Sequence, residues 1–219
     1  IDAATNAALD LGAKVFRLDL PPMRGAARGM GSDPNTNLGV TALTGNRAAV
    51  EAMKSADMVV DLMFLLFSPE QTEILQSGTR ILLAVEPPDI LARIRPSLDD
   101  KRRVKAAETC LKRARTMRVT SEAGTDLRVE LGQYPVLTEY GLADEPGRWD
   151  HWPSGFLATW PNEGSANGTV VLEPGDIIFP FKTYVKTPIT LTIREGYIRE
   201  IKGDFDADYL REFMAMYRD

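Results

Sequence analysis

Short, almost wholly apolar runs set between helix-start and helix-stop signals fill the first half of the sequence, and they leave few folds open. Residues 57–63 (DMVVDLM) and 79–85 (TRILLAV) are too short for buried helices and too continuously apolar for strands with one wet face. Such runs suit strands covered on both faces, as in parallel sheets. Between them, Ser68, Pro69 and Glu70 read as a helix start, with a hydroxyl cap, a proline in the first turn and an acid beside it, and Gly78 reads as the stop. Asn46 is placed to cap a further helix over 46–56. A helix over 3–12, a strand over 14–20 (KVFRLDL) and a short helix over 87–94 extend the alternation. Strand, helix and strand at this spacing imply parallel crossovers. The expected fold class is therefore α/β, with a doubly wound α/β layer over residues 1–115. Loops at strand C-termini are the usual ligand sites of such sheets; here they begin at Leu20, at 64–67 and at Glu86.

The pattern changes after residue 115. Short β signals at 118–121, 127–131, 168–172 and from 183 onward are separated by turns, and residues 206–216 (DADYLREFMAM) read as a closing helix capped by Asp206. Glu195-Gly196 between 189–194 and 197–201 is a two-residue hairpin turn. Residues 116–219 are thus expected to form a β-rich second domain. The helix expected over 99–115 carries seven basic and three acidic residues. It reads either as an anion-binding patch or, the preferred reading, as a surface helix with one narrow apolar face (Val104, Ala107, Leu111, Ala114) and a solvated basic one.

Composition removes several function classes. The formal charge is 26 − 31 = −5 and the pI is about 5.1, which argues against nucleic acid as the main partner, because phosphate binding needs a basic footprint. One cysteine, Cys110, excludes an internal disulfide framework and a Cys-based zinc ribbon. A reducing cytoplasm fits, and no apolar stretch has the length of a transmembrane helix. The sequence contains one histidine, His151, so it cannot by itself assemble a multi-histidine metal site. It also opens on Ile1, in what reads as the middle of a helix.

Residues 132–168 hold all three tryptophans, the histidine, five acids and four prolines. This composition predicts loops rather than regular structure, and aromatic walls with a few polar groups suit a small planar ligand. His151, between Asp150 and Trp152, has two readings: a general acid/base oriented by a carboxylate, or a structural histidine within a loop. Glu139 either hydrogen-bonds a ring group or pairs with Arg148. No GxGxxG, P-loop, nucleophile elbow or HExxH motif is present, and the glycine-containing run at 24–33 lacks the helix that a nucleotide loop needs.

The run ADEPGRWDHWPSGF (143–156), with LGQYP and TEYG before it and TWPNE after it, resembles the 2,5-dihydroxypyridine 5,6-dioxygenases. The resemblance extends over nearly the whole chain through TALTGN (41–46), ADMVVD (56–61), LLFSPEQ (65–71), TRILLAVEPP (79–88), DDKRRV (99–104) and DADYLREFM (206–214). It implies a ring-cleaving enzyme of bacterial nicotinate or nicotine breakdown, acting on a small aromatic N-heterocycle and O₂ to give N-formylmaleamate. It further implies a mononuclear non-haem Fe(II) held by two His and one Asp. Those ligands are expected in a C-terminal segment that these residues do not contain, so the chain is expected to be an internal slice of a longer, homo-oligomeric protein. Glu139 and His151 fall on family positions for substrate binding and proton handling, and Leu66 on a pocket wall. Phe67 stands where the family has a histidine base, so His151 is expected to take that work, with Phe67, Trp149 and Trp152 walling the substrate. The wider aminopeptidase-T-like group supplies the alternative, a metal-dependent hydrolase. Its PxGEVFTAP segment aligns with PSGFLATWP (153–161), where Phe156 replaces the metal-binding glutamate, and this argues against peptide hydrolysis.

Overall fold

The computed structural model describes residues 1–21, 41–63, 65–66, 68–178 and 183–216. Nearly all of the loop expected over 21–37, with its glycine-containing run, lies outside them, as does Phe67. The elements in chain order are α1 (Asp2–Asp10), α2 (Arg47–Lys54), β1 (Met58–Asp61), α3 (Pro69–Gln76), β2 (Arg80–Leu83), α4 (Pro88–Arg93), α5 (Leu98–Arg113), β3 (Thr116–Thr120), β4 (Asp126–Glu130), β5 (Leu137–Glu139), β6 (Trp149–His151), β7 (Phe156–Ala158), β8 (Asn167–Leu172), β9 (Ile177–Ile178), β10 (Thr183–Tyr184), β11 (Ile189–Arg194), β12 (Tyr197–Gly203) and α6 (Phe205–Ala215). The fold is α/β, as expected. Among the described residues no helix is long and apolar enough to cross a membrane.

The chain divides into two compact units, residues 1–104 with 139–156, and residues 105–138 with 157–219. The units are interleaved: residue 115, the expected boundary, falls inside the second unit, and 139–156 returns to the first.

In the first unit, β1, β2 and β6 form a parallel sheet with β2 in the centre. Val60 pairs with Leu82, and Leu82 in turn with Asp150. The caps behave as the sequence indicates. Asn46 accepts from the Ala49 N–H at 3.2 Å, and Ser68 accepts from the Gln71 N–H at 3.0 Å with Pro69 in the first turn. The buried faces of α2 and α3 meet β2 in one core of Leu43, Ala49, Val50, Met53, Leu65, Ile74 and Ile81, with Trp149 packed against it. Burial of these side chains is the main driving term for this unit. The strand expected over 14–20 is not formed. Leu18 and Leu20 pack against the core instead. Period-two alternation buries one side of a segment, but a strand also needs a hydrogen-bonding partner. Conversely, residues 149–151, expected within a loop, form β6.

In the second unit, β12, β11, β8, β4 and β3 form an antiparallel sheet in that order. The core joins Val185, Ile189 and Leu191 to Ala207 and Leu210 of α6. Glu195 and Gly196 both take positive φ (52° and 80°), the hairpin geometry whose twist matches the flanking strands. Asp206, expected to cap α6, instead accepts from the N–H groups of Lys186 (2.8 Å) and Thr187 (2.7 Å), and Asp204 occupies the cap position. Helix α5 buries only Val104, and its basic side chains find acids: Arg102 and Arg103 meet Asp99, while Lys105 and Lys112 meet Glu108. This is the solvated-face arrangement.

Candidate active site

The chemistry-bearing residues gather in the first unit around β6, and the sheet explains how. In a parallel sheet the strand ends that carry ligands all point one way. Asp61 ends β1, Leu83 ends β2 ahead of Glu86, and His151 ends β6. Asp61 is buried and accepts from the N–H groups of Met63 and Leu65, each at 2.7 Å, which ties down the start of the turn carrying Leu66. Leu66 itself is half-buried.

Alternation along β6 puts Trp149 and His151 on one face and Asp150 on the other. The two rings lie nearly parallel, 25° apart with centroids separated by 6.5 Å. Glu139, the last residue of β5, brings Oε2 to 3.8 Å from His151 Nδ1. The sequence-predicted pair is therefore brought together, at ion-pair rather than hydrogen-bond distance. Arg148, the other partner considered for Glu139, forms an ion pair with Asp150. Trp152 donates its indole N–H to the Ile94 carbonyl at 2.8 Å, so it offers a ring face and no free donor. Trp160, the third tryptophan, belongs to the second unit, edge-on to Tyr134. The expected role of Phe67 concerns a residue outside those described.

Three buried polar atoms in this short stretch have no hydrogen-bond partner among the described residues: Trp149 Nε1, His151 Nε2 and Ser154 Oγ. Leaving a buried donor or acceptor unpaired costs about 1–3 kcal/mol each, and native proteins rarely tolerate it without a reason. A bound polar ligand is such a reason. Sequence reasoning passed over Ser154, because a serine after a proline carries no signal of its own, and marked Glu86 only as the start of a loop, not as a charge acting on His151.

Charge at the pair is set by burial. Withdrawal from water, and then the neighbouring Asp150 carboxylate, push Glu139 up to about 7, with Arg148 pulling the other way. Burial pushes the His151 imidazole down, opposed by Glu86 and Asp150. Attraction across 3.8 Å acts against both shifts, favouring carboxylate with imidazolium. Those two arrangements, neutral acid with neutral imidazole and carboxylate with imidazolium, contain the same number of protons. Two ionisable groups this close influence each other's protonation.

The shift of Glu139 has a consequence for stability. Its folded value of about 7 lies above the ordinary 4.5, so the folded chain binds more proton than the unfolded chain between those values. Stability falls as pH rises through this window, and the loss is complete above it. Glu139→Gln removes the titration. The variant is expected to gain about 1–3 kcal/mol on wild type between pH 4.5 and pH 8. Urea denaturation of both proteins at the two pH values measures it, and parallel pH dependences would refute the shift.

No three His, Cys, Asp or Glu side chains among the described residues converge on a point that could hold a metal ion. The donors at this site do not by themselves make a metal centre. Two surface cavities in the second unit, one at Tyr134, Trp160 and Asn162 and one at Asn167, Arg194 and Arg199, contain none of the expected site residues.

Over residues 1–219 the chain matches the family NicX: 2,5-dihydroxypyridine 5,6-dioxygenase. A curated 2,5-dihydroxypyridine 5,6-dioxygenase of Pseudomonas putida (strain KT2440) is 59% identical over 219 residues, which are 100% of this chain and 62% of that protein. The chain superposes on the structure of 2,5-dihydroxypyridine dioxygenase from Pseudomonas putida KT2440 with a TM-score of 0.92 at 59% identity, again over 100% of this chain and 62% of the other. The chain spans less than two thirds of the length of these relatives. Matched along its whole length, the chain belongs to the 2,5-dihydroxypyridine 5,6-dioxygenase family.

Proposed function

We propose that the full-length protein opens the ring of 2,5-dihydroxypyridine, or of a close hydroxypyridine, with O₂ to give N-formylmaleamate, in the breakdown of nicotinate or nicotine. The observation that carries this reading is the half-buried His151–Glu139 pair, with the far ring nitrogen of His151 left without a partner among the described residues. A flat, hydroxylated heterocycle matches such a site: it has polar atoms in its plane and two apolar faces. Glu139 holds the polar edge of the ring. His151 takes and returns the proton that a ring hydroxyl loses as oxygen attacks. Trp149 and Leu66 exclude water, as does the ring face of Trp152, which strengthens each hydrogen bond inside. Fe(II) is the expected cofactor for O₂ activation. The two-His, one-Asp set that the resemblance implies exceeds the one histidine of the sequence, so the iron's ligands are expected outside these 219 residues. The same reading makes the protein a cytoplasmic homo-oligomer without nucleic acid among its partners.

The test is the full-length protein loaded anaerobically with Fe(II), then given 2,5-dihydroxypyridine and oxygen. The expected result is loss of substrate absorbance with matching O₂ uptake. Hydrolysis of leucyl-p-nitroanilide with Co²⁺ or Zn²⁺, without O₂ uptake, would overturn the reading in favour of the hydrolase alternative. The family match supports the dioxygenase rather than that alternative.

A further inference from the structure

We propose that Asp150, backed by Arg148, is the positioning residue of the Glu139–His151 pair: one buried carboxylate clamps the backbone beside Glu139 and the backbone of His151 at the same time. The role in turnover rests on the functional reading above, whereas the clamp itself does not.

Asp150 is fully buried. Its Oδ1 accepts from the N–H groups of Tyr140 at 3.0 Å, Gly141 at 2.7 Å and His151 at 2.9 Å. Its Oδ2 lies 3.2 Å from the Tyr140 nitrogen and receives Arg148 Nε at 2.9 Å and Nη2 at 2.6 Å. Tyr140 follows Glu139 directly, so the carboxylate grips the residue after one member of the pair and the amide of the other. Those two places are ten and one residues away in sequence. The grip is itself supported. The Arg148 guanidinium lies 3.6 Å from the centre of the fully buried Tyr140 ring, and the Tyr140 hydroxyl reaches Asp144 at 3.1 Å, which Lys101 also holds at 2.8 Å. Gly141 admits no replacement here, because a Cβ would sit 2.5 Å from Pro96 Cβ.

A buried ion pair is a poor way to gain stability, since apolar residues of similar volume often do as well or better. This one spends its hydrogen bonds on the two segments that carry Glu139 and His151, which is what a positioning role requires. It also sets charge. The groups acting on the pair are Glu86 from the segment after β2, and Arg148 and Asp150 from β6 and its approach. Asp150 raises both members of the pair.

The test uses the full-length protein with 2,5-dihydroxypyridine. Asp150→Asn keeps an acceptor oxygen and loses the charge. It is expected to lower kcat by about 10- to 100-fold and to move the pH–rate profile to lower pH by about one unit, because a negative charge that favoured protonation is gone. A merely structural role would lower the amount of folded enzyme without moving the profile. A folded Asp150→Asn enzyme with the wild-type kcat and profile overturns the proposal. Should that variant not fold, amide hydrogen exchange of the wild-type protein decides. Tyr140, Gly141 and His151 exchange as one slow unit if a single carboxylate holds them, and independent rates overturn the clamp. Exchange is read without turnover, so a wild-type protein inactive on 2,5-dihydroxypyridine counts against the functional reading alone.

Discussion

Replacing His151 with alanine in the full-length protein is expected to lower kcat on 2,5-dihydroxypyridine by about 10²- to 10⁴-fold, the range that a positioned acid/base contributes. The imidazole is three-quarters buried, with its side chain 25% exposed, and burial favours its neutral form. It can therefore accept a proton at neutral pH. Glu139 stands 3.8 Å away, close enough to share the proton once moved. Alanine removes that group and leaves Glu139 without its partner. Because the side chain is on the last residue of an outer strand of its sheet, the fold should survive, and far-UV circular dichroism checks that it does. A fall of less than about threefold in a folded variant would reduce His151 to a structural histidine.

Gly168→Ala is expected to be the most damaging single methyl group in the second unit. Gly168 takes φ of +137° and lies opposite Leu127 of β4 and Ile193 of β11. A Cβ there would collide with the Asp126 carbonyl oxygen and approach Leu127 Cα to 3.0 Å. Both neighbours are backbone, so neither can turn aside as a side chain could. Conformational strain and the clash together should cost about 3 kcal/mol or more. Gly175→Ala separates the two effects: its φ is +105°, yet nothing lies within 4 Å of the added carbon. That variant should lose only about 1 kcal/mol. Thermal melting of both variants reads the difference, and equal shifts in Tm would show that the β4–β8 approach is looser than described.

What could be read from the sequence was local. Ser68 with Pro69, Asn46, and Glu195 with Gly196 announce themselves within four residues, since caps and tight turns depend on side chains reaching their own backbone. The apolar runs at 57–63 and 79–85 likewise indicated parallel strands, but the expected cover on both faces is absent from β1, where Met58 and Val60 are exposed. What escaped was non-local. Residues 149–151 spell Trp-Asp-His, a poor strand by propensity. They form one because Asp150 finds Arg148 and three amide groups that make its burial tolerable. Lys14 to Leu20 has the better strand pattern and forms none. The Glu139–His151 pairing was approached through family resemblance, because twelve residues of separation say nothing about distance when both belong to different strands. Ser154 gave no signal, and Glu86 none beyond its place at the start of a loop, since their part is defined by what surrounds them.

The order in which β6 joins its sheet governs how the molecule is born. Leu83 pairs with His151, a separation of 151 − 83 = 68 residues. On the ribosome, β1 and β2 emerge long before the strand that completes them, and the chain of β3 and β4 must be made in between. Closing so long a loop is slow. Until it closes, one edge of β2 offers its amide and carbonyl groups to any passing extended segment. The His151 imidazole is therefore among the last parts of the first unit to be put in place, and nascent chains stalled before residue 149 should be the ones that chaperones hold longest.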